Sequence, residues 1–306
     1  MVGAGKVRLF GTLAVPDAGA AAASAGVLIV PSSGPGTRDG LVSDTGSNDS
    51  IAKDLAGALS KAGTVSYRFD RRGTGESRIE PDVRLSFDDL VADARAGLDL
   101  LAQRKETSGR DLAVVGYDQG GLVALRLAAS DSRVTRLVLI SPPGRSLVDA
   151  QAAQLGGTYG PESAAALRAT VAALLATRTL PPLDAMRAEL RPLLPPQEAS
   201  FLAQLYAIDP AAEAAQVKAR SLIVVGGDAG PYDPDRLRAV LSASDVVVAA
   251  TAGPTLVNVG PPPTEDPGNP SSPVHDHGAA PAVAPEARDA DAINRITAFL
   301  TAARAP

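Results

Sequence analysis

The run Leu112–Val115 leads directly into Gly116-Tyr117-Asp118-Gln119-Gly120-Gly121, and a helical pattern runs over Gly120–Ala129. In a G-x-nucleophile-x-G string the reactive side chain sits on a tight strand-to-helix turn. Glycine on either side lets the backbone double back around it. The helix that follows offers backbone N–H groups to an anion and keeps a carboxylate at its start ionised. Asp118 stands at the reactive position. It has no hydroxyl, so the acyl-enzyme ester of a serine mechanism cannot form. A carboxylate there can instead attack carbon directly or act as a general base.

A second string, Val27–Val30 followed by Pro31-Ser32-Ser33-Gly34-Pro35-Gly36-Thr37-Arg38-Asp39-Gly40, runs from a strand into a Gly/Pro-rich loop. A turn of this type next to the elbow supplies one oxyanion N–H, here from Ser33. The residue after the nucleophile, Gln119, supplies the other. A third string, Tyr67–Ser77, carries Asp70-Arg71-Arg72-Gly73-Thr74-Gly75 and reads as a structural turn at a strand end, with no catalytic role. The two histidines, His275 and His277, lie in a Pro-rich stretch beside Asp276. Without a matched third ligand they do not define a metal centre, and no metal or cofactor is expected.

These residues need a scaffold, and the chain supplies short apolar runs alternating with helical patterns, the mark of a mainly parallel sheet. Strands are expected over Val7–Leu13, Gly26–Val30, Val65–Phe69, Leu112–Val115, Arg136–Ile140, Ser221–Val225 and Val246–Ala249. Helices are expected over Ser50–Ala62, Phe87–Lys105, Gly120–Ala129, Asp233–Ser242 and Asp289–Ala303. Residues 145–215 are rich in Ala and Leu with Pro breaks and read as a helical cap inserted into a core of residues 1–144 and 216–306. Residues 258–288, rich in Pro, Gly and Asp, read as a long surface loop.

Composition narrows the function further. Of 306 residues 45% are hydrophobic, enough for a sizeable core, but only 3% are aromatic, so the packing relies on Ala, Val and Leu. The net charge of −5 argues against nucleic acid as a partner. The absence of cysteine removes thiol chemistry and disulfides. No apolar run reaches the roughly 20 residues that span a bilayer. The first residues lack a basic-then-apolar signal pattern, and a cytoplasmic location is expected.

The three strings, in this order, resemble the α/β-hydrolase superfamily, in particular its esterases and acylaminoacyl-peptidase-like hydrolases. Those show G-S-G-P-x-x-R-D-G, Y-D-x-R-G-x-G-x-S and G-H-S-x-G-G where this chain has Ser33–Gly40, Phe69–Ser77 and Gly116–Gly121. The resemblance covers nearly the whole chain. It implies an α/β-hydrolase fold, with a mainly parallel central sheet flanked by helices and a helical cap over a pocket for a small-molecule or acyl ligand.

The departures from the family are as informative. Asp118 replaces the serine, Pro31-Ser32 replaces the usual His-Gly or Ala-Gly, and Thr255 falls where the family histidine would stand. Asp228 lies near the family acid's station but one place early. A degenerate hydrolase, with the pocket kept and the serine–histidine pair lost, accounts for all of these together. The alternative is an Asp-nucleophile hydrolase like the epoxide hydrolases and haloalkane dehalogenases. Gly-Tyr-Asp-Gln-Gly-Gly resembles their Gly-His-Asp-x-Gly-Gly, and His275 or His277 would then have to reach Asp118. Tyr117 beside the nucleophile, with Tyr159 and Tyr206 in the cap, are candidate ligand-binding side chains, although the tryptophan that holds halide in dehalogenases is absent.

Overall fold

The computed structural model describes residues 2–4, 7–16, 25–32, 36–42, 48–80, 83–226, 233–241, 244–249, 256 and 289–302. Seven strands form its central sheet. They are β1 (Gly11–Ala14), β2 (Ala25–Val30), β3 (Val65–Phe69), β4 (Asp111–Tyr117), β5 (Val134–Ile140), β6 (Arg220–Gly226) and β7 (Ser244–Ala249). Their spatial order is β7-β6-β5-β4-β2-β3-β1. Only β1, on β3, runs antiparallel.

Alternation along the inner strands sends side chains to two separate cores, as period-2 geometry requires. Val27 and Ile29 of β2 and Ala113 and Val115 of β4 pack on one face. There they meet Ile51, Leu55 and Leu59 of α1 (Ile51–Lys61) and Ile296 and Leu300 of α9 (Ala290–Thr301). Leu28, Val30, Leu112 and Val114 face the other way, against α2 (Phe87–Gln103) and α3 (Gln119–Ser130). The i, i+4 spacing of Ile51, Leu55 and Leu59 gives α1 its single buried stripe. Helix α2 starts at a reciprocal capping box, in which Ser86 and Asp89 satisfy each other's backbone N–H.

Between β5 and β6 the chain forms helices α4 (Leu147–Tyr159), α5 (Pro161–Thr177), α6 (Ala199–Tyr206) and α7 (Pro210–Ala214), with three 3-10 turns. A short helix, α8 (Pro234–Arg238), precedes β7. Among the described residues no helix is long and apolar enough to cross a membrane.

The expected elements differ from the observed ones mainly at their ends. The single strand expected over Val7–Leu13 is broken at Phe10, whose N–H is taken by the Ser77 hydroxyl at 2.8 Å. The helix expected over Asp233–Ser242 contracts to α8, where buried Leu237 is its apolar anchor and Val240 stays exposed. The loop expected over 258–288 lies outside the described residues.

Candidate active site

All parallel strands end at one edge of the sheet, which is where an α/β sheet opens a ligand crevice. Strand β4 is central at that edge, between β2 and β5. It ends at Tyr117, Asp118 turns the chain with φ 49° and ψ −126°, and α3 begins at Gln119. A non-glycine residue at positive φ is strained and has to be held by its surroundings. The Asp118 N–H donates to the Ile140 carbonyl at 2.9 Å, and its carbonyl accepts from the Gly121 N–H at 2.9 Å.

The flanking glycines are required by contact. A Cβ on Gly116 would stand 2.4 Å from the Gly120 carbonyl oxygen, and one on Gly120 would stand 2.5 Å from the Pro31 carbonyl oxygen. The elbow therefore presses directly on the turn that follows β2. That turn puts the Ser32 side chain against the elbow, and its hydroxyl donates to Oδ2 of Asp118 at 2.6 Å. Ser32 is 4% exposed while Asp118 is partly exposed, so the hydroxyl–carboxylate bond is half-buried.

Asp118 and Gln119 open onto a cleft of about 720 Å³. Leu147 and Gln151 of α4 and Phe201, Leu205 and Tyr206 of α6 form its far wall, with Arg71 and Arg72 along one side. Tyr206 is buried and donates from its hydroxyl to Oε1 of Gln151 at 2.6 Å. Burial raises its pKa well above the ordinary phenol value, outweighing the bond to Gln151, so it holds its proton at neutral pH. A narrow recess beside the cleft is lined by Ser32, Arg71, Asp93 and Gln119.

The two arginines in the wall differ sharply. Arg72 grips Asp93 with two nitrogens, Nε to Oδ2 at 2.6 Å, and reaches Asp89 at 3.0 Å. Burial works against the Arg72 charge, but the bonds to Asp93 and Asp89 outweigh it and hold its pKa above the usual value. Arg71 lies over the Phe201 ring, its guanidinium carbon 5.8 Å from the centroid. Its Nε is buried and has no hydrogen-bond partner among the described residues. Burial lowers the Arg71 pKa, against the opposing pull of Glu198 and Asp93.

Of the side chains singled out from the sequence, the structure brings Asp118, Gln119 and Tyr206 to one cleft. Two others are placed elsewhere. Tyr117 has the same strand parity as Ala113 and Val115, so its side chain packs in the core under α1 and α9, 3% exposed. Tyr159 ends α4 on the outer surface, 59% exposed, and is not among the residues lining the cleft. Ser33, Asp228, Thr255, His275 and His277 lie outside the described residues. Among the described residues no group of three or more His, Asp or Glu side chains is placed to hold a metal.

Three contributors to the cleft and the recess beside it are missed by sequence reasoning. Ser32 enters it only as part of a departure from His-Gly, although a side chain where relatives carry glycine is itself a signal. Arg71 sits in a string that reads as purely structural. That reading holds for its neighbour Asp70, which accepts from the Arg38 and Glu76 backbone N–H groups. Gln151 carries no local signal, because it reaches the site only through the packing of α4.

The parallel sheet, the elbow at the end of its central strand and the cleft above it define an α/β hydrolase-type architecture. A family model described as alpha/beta hydrolase fold matches residues 26–228, and the chain belongs to that family. Among solved structures it is similar to Est1E from Butyrivibrio proteoclasticus with ferulic acid bound. The identity is 17% over 83% of this chain and 90% of that one, with a TM-score of 0.56. It is also similar to proline iminopeptidase from Mycobacterium smegmatis, at 15% identity over 83% and 90% of the two chains and a TM-score of 0.52. At these identities the similarity establishes the fold alone. No curated protein sequence matches the chain.

Proposed function

We propose that this protein is a ligand-binding α/β hydrolase that has lost serine-ester hydrolysis. Its cleft, beneath a helical cap of residues 145–215, takes a small-molecule or acyl ligand. The observation that carries this is the contact of Ser32 Oγ with Asp118 Oδ2 at 2.6 Å. At the elbow, where a serine hydrolase presents a hydroxyl to a histidine, this chain presents a carboxylate already bound by a neighbouring hydroxyl. No acyl-enzyme ester can form on it. With Thr255 at the family histidine's station and Asp228 one place early, the elbow, acid and base stations depart together. That pattern fits loss of the reaction better than its retuning. The cleft has kept an apolar lining, from Leu122, Leu147, Phe201 and Leu205, and a shape suited to a ligand. The expected location is the cytoplasm, and no cofactor is assigned.

Two experiments test this together. Calorimetric titration with medium-chain acyl compounds should show saturable binding, while activated esters of the same chains should not be turned over. Asp118→Ser should stay inactive as well, because a serine without its base is a poor nucleophile.

A second reading is favoured by the same contact. A hydroxyl fixing one carboxylate oxygen orients the other, as an Asp-nucleophile hydrolase requires before direct attack on carbon. Turnover would then need His275 or His277 to activate water. Single turnover of an epoxide or alkyl halide in ¹⁸O-labelled water, followed by mass spectrometry of the Asp118 peptide, separates the two. Label on the Asp118 carboxylate would establish the nucleophile, and no label in any reactive mixture would remove it.

A further inference from the structure

We infer that the cleft selects ligands bearing a carboxylate, and that Arg71 is the residue that recognises it. The inference rests on the cleft being a ligand site, and adds the chemical class of the ligand.

Arg71 is set apart from the other arginine in the wall by what it lacks. Arg72 spends its charge on Asp93 and Asp89. No carboxylate among the described residues forms an ion pair with Arg71, and its Nε is sealed from solvent with no acceptor. A buried N–H on a guanidinium is not left without an acceptor without cost, and an unpartnered one in a native site calls for an explanation. The two carboxylates whose charge acts on Arg71 do not supply it. Asp93 is already held by two Arg72 nitrogens, and Glu198 is exposed at the cleft rim, beyond ion-pair reach.

The geometry suits capture of an incoming anion. Phe201 lies against the guanidinium, 5.8 Å from its carbon to the ring centroid, and Arg71 lines the cleft, which puts its planar group within reach of a partner bound there. That planar fork matches the two oxygens of a carboxylate. Arg71 also borders both the main cleft and the recess that contains Ser32 and Gln119. A ligand bound here would put its acid group on Arg71 and its apolar body against Leu122, Leu147 and Leu205. The occupant is therefore an apolar carboxylic acid rather than a neutral lipid or a cation.

The test uses the intact chain and two probes that differ only in charge, octanoate and octanamide, with affinity read by isothermal titration calorimetry. The unmodified protein should bind octanoate at least tenfold more tightly than octanamide, with a preference that shrinks as salt is raised. Arg71→Met should abolish the preference by weakening octanoate binding at least tenfold relative to octanamide. Arg71→Lys, which keeps the charge and the long stem, should retain part of it. The comparison in the unmodified protein stands even if Arg71→Met fails to fold. Equal binding of the two probes would overturn the carboxylate assignment and leave the ligand cleft standing. Binding of neither would overturn both.

Discussion

The Ser32 hydroxyl donates to Oδ2 of Asp118 at 2.6 Å across the junction of the β2 turn and the β4–α3 elbow. The two residues are far apart in sequence and are brought together because the Gly120 backbone has no side chain to keep the Pro31 carbonyl away. A serine on the turn and an aspartate on the elbow thus form one paired unit, half-buried beside the cleft.

Removing that hydroxyl should be felt as stability. Hydrogen bonds to charged groups contribute about 1.5–3 kcal/mol. Ser32→Ala is therefore expected to destabilise the fold by about 2 kcal/mol in urea unfolding. In a double-mutant cycle with Asp118→Asn, the two substitutions should be non-additive by about 1 kcal/mol. Additive effects would mean the pair does not interact in solution.

Glycine substitutions should separate by position. Gly120→Ala drives a methyl into the Pro31 carbonyl, with nothing flexible to give way. It should cost more than about 3 kcal/mol or prevent folding, in line with overpacking against backbone. A Cβ on Gly57, inside α1, would meet nothing within 4 Å. Gly57→Ala should raise stability by up to about 1 kcal/mol from helix propensity alone. Thermal unfolding of the two variants side by side checks this, and similar effects at both positions would contradict the elbow geometry.

Much of this architecture is legible from residue types. Val65–Phe69 as a strand follows from its apolar run, and α2 from its helical apolar spacing. The glycines around Asp118 announce the elbow because only they tolerate its contacts. The rest depends on distant packing. Tyr117 looks like a site residue because it adjoins Asp118, but strand parity turns it into the opposite core. Tyr206 and Tyr159 look alike in sequence. Only the docking of α6 against α4 buries the first in the cleft, while the end of α4 leaves the second in solvent. Arg71 and Arg72 are neighbours in the string, and Asp93 on α2 takes only the second of them into an ion pair.

Acid sensitivity should include a contribution from Asp131. Bonds from Arg133, with Arg95 also in contact, hold its carboxyl below the usual carboxylate range despite burial. A carboxylate whose folded pKa lies below its unfolded value of about 3.9 stabilises the fold above that pH. The contribution disappears as pH falls through the folded value. Asp131→Asn should therefore be less stable than the unmodified protein at pH 7, and the gap should narrow between about pH 4 and pH 2. Urea midpoints across that range measure it, and a gap that widens on acidification would reverse the sign and refute the pairing.

The central claim is that the elbow no longer supports serine-type hydrolysis, and it is tested most directly by steady-state hydrolysis of 4-nitrophenyl octanoate by the unmodified 306-residue chain. Nitrophenolate release should match buffer alone, with no initial burst, and Asp118→Ser should behave in the same way. Saturable release that is catalytic in protein would contradict the claim.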